Sequence, residues 1–593
     1  MKTEHRVLCA AAALYVVFIA RTAFTIGGET FFSLLDDGMI SMRYARNLAT
    51  GHGLVWNVGG PRIEGYTNFL WTIWMAALHL VPVAMSKTSL LVAASGAVVL
   101  VLNALVVARV IRQLLPRGDG VVVALGVAMV AFSFSLIYWT LRGMEVGLVV
   151  LLVSTCCYLA FALDEHVSSR RVLAFCAAIG SLTLVREDGI VSAVFIAGFV
   201  VLGAWRARNR GLIAVVLAGL VAPKAIHVLW RWRYYGNVLP NTYYLKMTGV
   251  GFAERLLHGS AVTLMMAGRS LVLPVVLVAI ADRGNRVWLR DRRLRLLAAL
   301  AAANILYGTY VGGDVWDWMR FPNRFATTGL IPLLILAAVA VDSIRERVED
   351  RGRQFGLMAG TAALALCVAG GTDLIDKATS FGIASSPLGT SVSLLTMGVG
   401  LLIANRCRRE SPRAWFTPAD QTWRWLLILI VVLTTDGRYI GQWMVRNALG
   451  LADDIRVARL GVFLGDTTAP AATIAVAYAG AIPYFADRTS YDLTGKNDPV
   501  IAREPGKGPF RPGLNKWDYP YTILTFKPDV VADANWATLE LVRLLPSWGY
   551  VGLPNGVFVR RDDPRVAWQC IGLDWSVSAR RGCAPADTPA APR

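Results

Sequence analysis

The stretch SLLVAASGAVVLVLNALVVARVIRQLLPR (89–117) sets the reading of the whole chain. Twenty residues, 89–108, carry no charge, which is the length needed to cross a bilayer core of about 30 Å as a helix. The run then closes on Arg109, Arg112 and Arg117, and short clusters of Lys and Arg at the ends of apolar runs mark cytoplasmic loops. The same alternation recurs along the chain. Apolar runs lie at roughly 7–27, 68–86, 120–140, 144–163, 171–186, 189–204, 211–230, 261–281, 296–311, 326–341, 355–370, 388–404 and 422–434. Basic clusters lie at Arg170/Arg171, Arg206/Arg208/Arg210, Arg283 through Arg295, Arg345 through Arg353 and Arg406/Arg408/Arg409/Arg413.

Composition agrees. Of 593 residues 55% are hydrophobic and 17% charged, with mean hydropathy +0.51, whereas a soluble domain carries roughly 25% charged residues. The net charge of +19 is dispersed among loops rather than gathered on one basic domain, so the reading excludes nucleic acid and takes the lipid bilayer as the partner. A basic start (Lys2, Arg6) before the run Val7 to Ile26 has no convincing small-residue cleavage site, and an uncleaved first span is expected.

With the N-terminus and Arg109 both inside, an even number of crossings must separate them, yet three apolar runs lie between. The run 68–86, with Trp71, Trp74, His79 and Pro82, is read as a juxtamembrane or re-entrant helix. About thirteen true spans remain. The opposite side then receives 28–67, 141–145, 186–188, 231–260, 312–325, 371–387 and everything after about 435. The expected organisation is a polytopic α-helical membrane domain, 1–434, followed by an extracytoplasmic α/β domain, 435–593. In the latter ATIAVAYAGAIPYF, TILTFKPDVVAD and YVGLPNGVFVRR read as strands and WATLELVRLL as a helix. That domain is read as acceptor-binding or structural, with Asp492 and Gly495 to Asp498 as its punctuation. Of the eight cysteines, Cys9, Cys156, Cys157, Cys176 and Cys367 sit in apolar runs; for Cys570 and Cys583 a disulfide and two free thiols both stand open.

Unusual polar residues concentrate in the first long loop, SLLDDGMISMRYARNLATGHGLVWNVGGPRIEGYTNFLW (33–71). Adjacent acids at a helix start serve as caps in most proteins. Here Asp36 and Asp37 stand directly after a first span, at the surface where a sugar on a buried lipid would be presented. Arg43, His52, Glu64 and Asn68 follow as substrate-binding candidates.

This loop resembles the first loop of GT-C glycosyltransferases, multi-spanning enzymes that use polyprenyl-phosphate sugars. It is similar in particular to that of mycobacterial terminal arabinofuranosyltransferases. The likeness rests on Asp36-Asp37-Gly38, the helix Arg43 through Leu48, the turn Gly51-His52-Gly53, and Arg62-Ile63-Glu64. It implies a polyprenyl-phosphate-linked sugar as donor, a cell-envelope glycan as acceptor, a plasma-membrane location with an extracytoplasmic site, and a catalytic acid at Asp36 or Asp37. An acceptor hydroxyl must lose its proton as the new bond forms, and a carboxylate in reach can take it. Neighbouring side chains diverge, so one acid faces the site; Asp36 is taken as the base, with Asp37 orienting a basic group or sugar hydroxyls.

A phosphate leaving group calls for positive charge. VGGDVWDWMRFPNRF (311–325) supplies Arg320 and Arg324 beside Asp314 and Asp317, and the same residues also fit an interfacial anchor. RWRYYGNVLPNTYYLK (231–246) adds Lys246. Glu145 and the triplet Arg186-Glu187-Asp188 are charges bordering spans, functional candidates by default, with pairing of Arg186 to a nearby acid as the plain alternative. No His or Cys spacing marks a metal site and no cofactor is called; a divalent cation on Asp36 or Asp37 is left open. The competing readings are a mannosyl or other hexosyl transferase acting on protein or lipid, and a lipid-linked-sugar flippase. Internal repeats and midplane charges would favour the flippase, and neither is evident.

Overall fold

In a bilayer core every backbone amide must be bonded within its own segment, so the apolar runs are helices. The computed structural model describes residues 3–118, 120–283, 290–347, 351–379, 398, 432, 436–553, 556–561 and 564–566. The first helices are α1 (Thr3–Ala20), α2 (Asp36–Ala49), α3 (Phe69–His79), α4 (Met85–Leu114), α5 (Gly120–Ala131), α6 (Phe134–Leu141), α7 (Val146–Glu165) and α8 (Ser169–Val185). There follow α9 (Gly189–Arg206), α10 (Arg210–Tyr235), α11 (Asn241–Met247), α12 (Phe252–Met266), α13 (Val272–Arg283), α14 (Arg292–Tyr310), α15 (Arg324–Arg347) and α16 (Arg351–Thr379).

Eight described helices are long and apolar enough to cross a membrane: Thr3–Ala20, Met85–Leu114, Val146–Glu165, Gly189–Arg206, Arg210–Tyr235, Phe252–Asp282, Arg324–Glu346 and Gly356–Ile375. The pair α5 and α6, bent by 47°, makes a ninth if counted as one broken span. Two more expected spans exist as helices that miss that standard. α8 has 17 residues, and α14 opens on Arg292, Arg293 and Arg295. The expected spans 388–404 and 422–434, the cluster Arg406 to Arg413, and the pair Cys570 and Cys583 lie outside the described residues. α3, with 11 residues, is about 16 Å long and cannot cross.

Beyond the bundle, α17 (Gly437–Arg446) packs back onto it, with Trp443 stacked on Phe18 of α1 at 5.3 Å. α18 (Leu451–Thr467) leads into a five-stranded sheet of β3 (Thr473–Val476), β4 (Thr489–Asp492), β5 (Val530–Val531), β6 (Tyr550–Gly552) and β7 (Phe558–Arg560); a separate hairpin, β1 (Phe24–Ile26) and β2 (Glu29–Phe31), follows α1. The sheet order is β4-β3-β5-β7-β6, parallel across β4, β3 and β5 and antiparallel across β5, β7 and β6. Two expected strand segments are corrected. AIPYFA (481–486) is a helical turn whose apolar residues are buried all round, and YTILT (521–525) is a π-helical turn. Short apolar runs do not separate strand from buried helix.

The sheet does not stand apart from the first loop. One apolar core contains Met39, Met42 and Tyr44 of α2 together with Ile474, Val476, Ile482 and Val530 of the sheet domain. Two glycines permit this closeness. A Cβ on Gly480 would lie 2.1 Å from the Asp36 carbonyl oxygen, and one on Gly65 would lie 1.9 Å from Asn497 Oδ1. Arg43, expected at a substrate, is a buried fastener instead. It donates to the carbonyls of Trp56 (2.5 Å), Arg488 (2.7 Å) and Pro483, and to Asn57 Oδ1 (2.9 Å). Its removal leaves buried acceptors unmatched, each costing about 1–3 kcal/mol. Arg43→Met should therefore lower the apparent Tm of the detergent-solubilised protein by several degrees while Arg62→Met, on an exposed residue, does not; equal Tm values would refute the fastening role.

Candidate active site

Loops from distant parts of the chain meet at one end of the bundle around a cavity of about 220 Å³. Its wall includes Asp37 and Ser41 of α2, Gly65 to Asn68, Met144 and Glu145, Arg186 to Asp188, Pro240, Tyr243 and Lys246, Arg324 and Phe325, and Lys496. Apart from helix-end residues, these are the segments that the charge pattern places on one side of the membrane.

Asp37 is the hub. Its Oδ1 accepts from Lys496 Nζ at 2.9 Å, and its Oδ2 lies 3.2 Å from Arg324 Nη1 and 3.4 Å from the Trp316 indole nitrogen. Burial alone would raise its pKa, but Lys496, Arg324 and Lys246 hold it well below the usual carboxylate range. Arg324 is fixed in turn by a two-pronged contact with Asp314, 2.6 Å on each prong. Asp314 thus acts behind Arg324 rather than at the cavity wall.

Lys496 arrives from the sheet domain, 459 residues from Asp37. Its loop is held by Asp492, whose carboxylate accepts from the amides of Thr494 (2.8 Å), Gly495 (3.1 Å) and Asn497 (2.8 Å). Asn241, at the start of α11, donates to the carbonyls of Gly495 and Lys496 at 2.9 and 3.0 Å. Lys246, on the same short helix, also faces the cavity, and among the described residues it makes no hydrogen bond or ion pair. Burial and the nearby Arg324 lower its pKa, with Asp314 and Asp37 opposing.

A polar chain also lines the cavity. Arg186 donates to Asp188 Oδ2 at 2.6 Å and to Glu145 Oε1 at 3.2 Å; Glu145 Oε2 accepts from Asn68 at 3.0 Å; Asn68 Oδ1 accepts from Ser41 at 2.9 Å. Glu187 accepts from Lys224 at 2.6 Å, and despite burial Arg231 and Lys224 keep its pKa low.

Of the residues singled out in the sequence, Asp37, Asn68, Glu145, Lys246 and Arg324 line the cavity. Asp36, His52, Glu64 and Arg320 do not. Asp36 points away, its Oδ1 accepting from the amides of Gly480 (3.2 Å) and Ala481 (2.9 Å). The neighbours diverge on α2, and Asp37, not Asp36, is the carboxylate that lines the cavity. His52 is exposed and lies 2.9 Å from Thr50 Oγ1. Glu64 is buried one residue behind the wall, 3.1 Å from Arg231 Nη2. Arg320 sits outside the lining in a left-handed conformation (φ 68°), its carbonyl accepting from Tyr439. Lys496 stands in the sequence reading only as a domain feature, and the Arg186 triplet as span-bordering charges that are functional candidates by default. No group of three or more His, Cys, Asp or Glu among the described residues is placed to hold a metal, and a cation on Asp37 would have to displace Lys496 and Arg324.

Comparison with known proteins adds three findings. Residues 443–569 match the model of a domain of unknown function (DUF8728). A terminal beta-(1->2)-arabinofuranosyltransferase of Corynebacterium glutamicum is 26% identical over 357 residues, 54% of this chain and 49% of that protein. The chain is similar to an arabinofuranosyltransferase. It spans about half the length of that curated relative. Among solved structures, apo ArnT from Cupriavidus metallidurans aligns at TM-score 0.49 and 13% identity, covering 82% of this chain and 86% of that one. The apo Archaeoglobus fulgidus oligosaccharyltransferase aligns at TM-score 0.45 and 11% identity, covering 95% and 76%.

Burial pushes the Asp36 pKa up to about 7, with Lys496 and the Ala481 amide opposing. A carboxylate raised from about 3.9 binds its proton more tightly when folded, so its burial costs stability above pH 7 and that cost fades as pH falls toward 4. Asp36→Asn, which keeps the acceptor oxygen, should raise the apparent Tm at pH 8 and leave it unchanged at pH 4. A Tm drop at pH 8 would mean that the charge itself holds the domain in place.

Proposed function

We propose that this protein is a membrane glycosyltransferase that moves a sugar, D-arabinofuranose, from a polyprenyl-phosphate donor to a cell-envelope glycan at the extracytoplasmic face. The observation that carries the reading is the pairing of one carboxylate with three cations in one cavity at the end of an apolar helical bundle. A lipid phosphate entering from the bilayer finds Lys246 free of an ion pair, with Lys496 and Arg324 beside it. The sugar is assigned from the arabinofuranosyltransferase relative and from the first-loop resemblance, and the face from the basic loops at the other ends of the spans.

In the reaction the acceptor hydroxyl oxygen attacks the anomeric carbon. The bond from that carbon to the phosphate oxygen breaks, and its electron pair leaves on the phosphate. Lys246, Arg324 and Lys496 offset the charge that develops there, in a site where fixed charges act more strongly than in water. The hydroxyl proton passes to Asp37. In the resting site Lys496, Arg324 and Lys246 hold Asp37 at low basicity; a phosphate that draws these cations toward itself returns basicity to Asp37 when the donor is in place. Glu145, Asn68 and Ser41 form a hydrogen-bonding wall fitted to sugar hydroxyls.

The test is transfer from synthetic polyprenyl-phosphate arabinofuranose by the purified full chain. Asp37→Asn should lower kcat by about 10²–10⁴-fold, the range of a general base, with donor binding retained. Lys246→Ala should weaken donor binding roughly ten- to a hundredfold, the loss of one charged hydrogen bond. Because the Asp37 pKa lies far below neutrality, kcat/KM should show no acidic limb from it between about pH 5 and 8. Full turnover in Asp37→Asn, or turnover with a polyprenyl-phosphate hexose alone, would overturn the assignment in its mechanism or its sugar respectively.

A further inference from the structure

Asp37 has one further neighbour, Trp316. Arg324 and Lys496 approach it from the cavity wall, but Trp316, which points its indole N–H at Asp37 Oδ2, is not among the cavity's lining residues. From Trp316 a band of rings and charges runs out over the sheet domain. The ring of Trp318 lies 6.4 Å from that of Trp316 and is 48% exposed. It borders Gly450, immediately before α18, where a Cβ would stand 3.9 Å from the Trp318 ring. On the first turns of α18 come Asp453 and Arg456, 3.7 Å apart and both solvent-accessible. The Arg456 guanidinium lies over the rings of Tyr478 (5.6 Å) and Trp536 (5.2 Å), and those two rings meet edge to face at 5.3 Å. Trp536 is 51% exposed, and Arg456 Nη2 is buried there with no acceptor. Two residues beyond Tyr478, the Gly480 amide donates to Asp36 Oδ1 at 3.2 Å, which places this end of the band near the start of α2.

We infer that the band from Trp316 to Trp536 is the path along which a carbohydrate chain lies, with its terminal hydroxyl delivered to Asp37; this rests on the proposed transferase reading. Exposed aromatic rings cover the apolar C–H faces of sugars, and their edges leave polar groups free to bond hydroxyls. Asp453 and Arg456 together carry no net charge, which suits a neutral polyhydroxylated chain and gives an anionic lipid headgroup nothing to select. The solvent-accessible side chains of Asp453 and Arg456 offer an acceptor and a donor to hydroxyl groups. The band meets Asp37 through Trp316, whose indole nitrogen lies 3.4 Å from Oδ2.

The experiment uses the full chain in nanodiscs with oligoarabinofuranosides of two to eight residues. Trp536→Ala and Tyr478→Ala should each raise the acceptor KM about tenfold, the worth of a lost ring contact with its bonded neighbour. Donor KM and kcat should hold, and the effect should grow with acceptor length. Trp536→Tyr should keep most of the affinity. Unchanged acceptor KM in both alanine variants, in protein with wild-type Tm, would overturn the inference, as would a loss confined to partitioning onto anionic vesicles. Direct oligosaccharide binding by calorimetry separates the two claims: binding that depends on Trp536 in a wild-type protein without transfer from any donor would sink the proposed function and leave the surface standing.

Discussion

The site depends on one buried carboxylate held between cations from two other parts of the chain. Asp37 starts α2, Arg324 starts α15, and Lys496 hangs from the sheet domain. Ionised groups are costly to bury and are kept so only when paired and further bonded. The surrounding structure meets that demand layer by layer. Asp314 grips Arg324, Asp492 shapes the Lys496 loop, and Asn241 ties that loop to the helix bearing Lys246. Removing any one partner leaves an uncompensated charge rather than a gap, so the three segments are bound to a single geometry.

This explains why the sheet domain is packed as it is. A domain meant only to stand over the membrane would need no shared core with the first loop. Here Gly480 and Gly65 are close-approach points at which any larger residue collides with Asp36 or Asn497, and Arg43 fastens the two parts through carbonyl oxygens. The first loop and the sheet domain form one body on the bundle, with the cavity beneath it. The domain read from sequence as acceptor-binding or structural therefore also contributes a cation to the cavity.

Much of the fold was legible because a bilayer imposes length and apolarity on each span, and both are written in the local sequence. The helices at 85–114, 146–165 and 324–346 follow from composition alone. Charges that border spans, such as Glu145 and Arg324, stand out in the sequence because a charge there needs a purpose, and Lys246 stands out as part of a basic and aromatic external patch. The strands AIPYF and TILTF were misread because burial on all sides erases periodicity. The choice between Asp36 and Asp37 depended on which side of α2 the sheet domain covers, a tertiary fact. Lys496 carried no local signal, since a lysine in a Gly-Lys-Asn-Asp turn looks like any exposed loop lysine until the fold brings it 2.9 Å from Asp37.

The most direct measurement is the transfer rate of Lys496→Met, a variant that keeps the length of the side chain and removes its charge. If the sheet domain completes the reacting centre, turnover at saturating donor falls by about 10²-fold, the scale of one lost charge-stabilising donor, in protein that still binds acceptor. Turnover within twofold of the wild type would contradict the account, because it would show that the carboxylate and the leaving phosphate do without the cation on which the architecture converges.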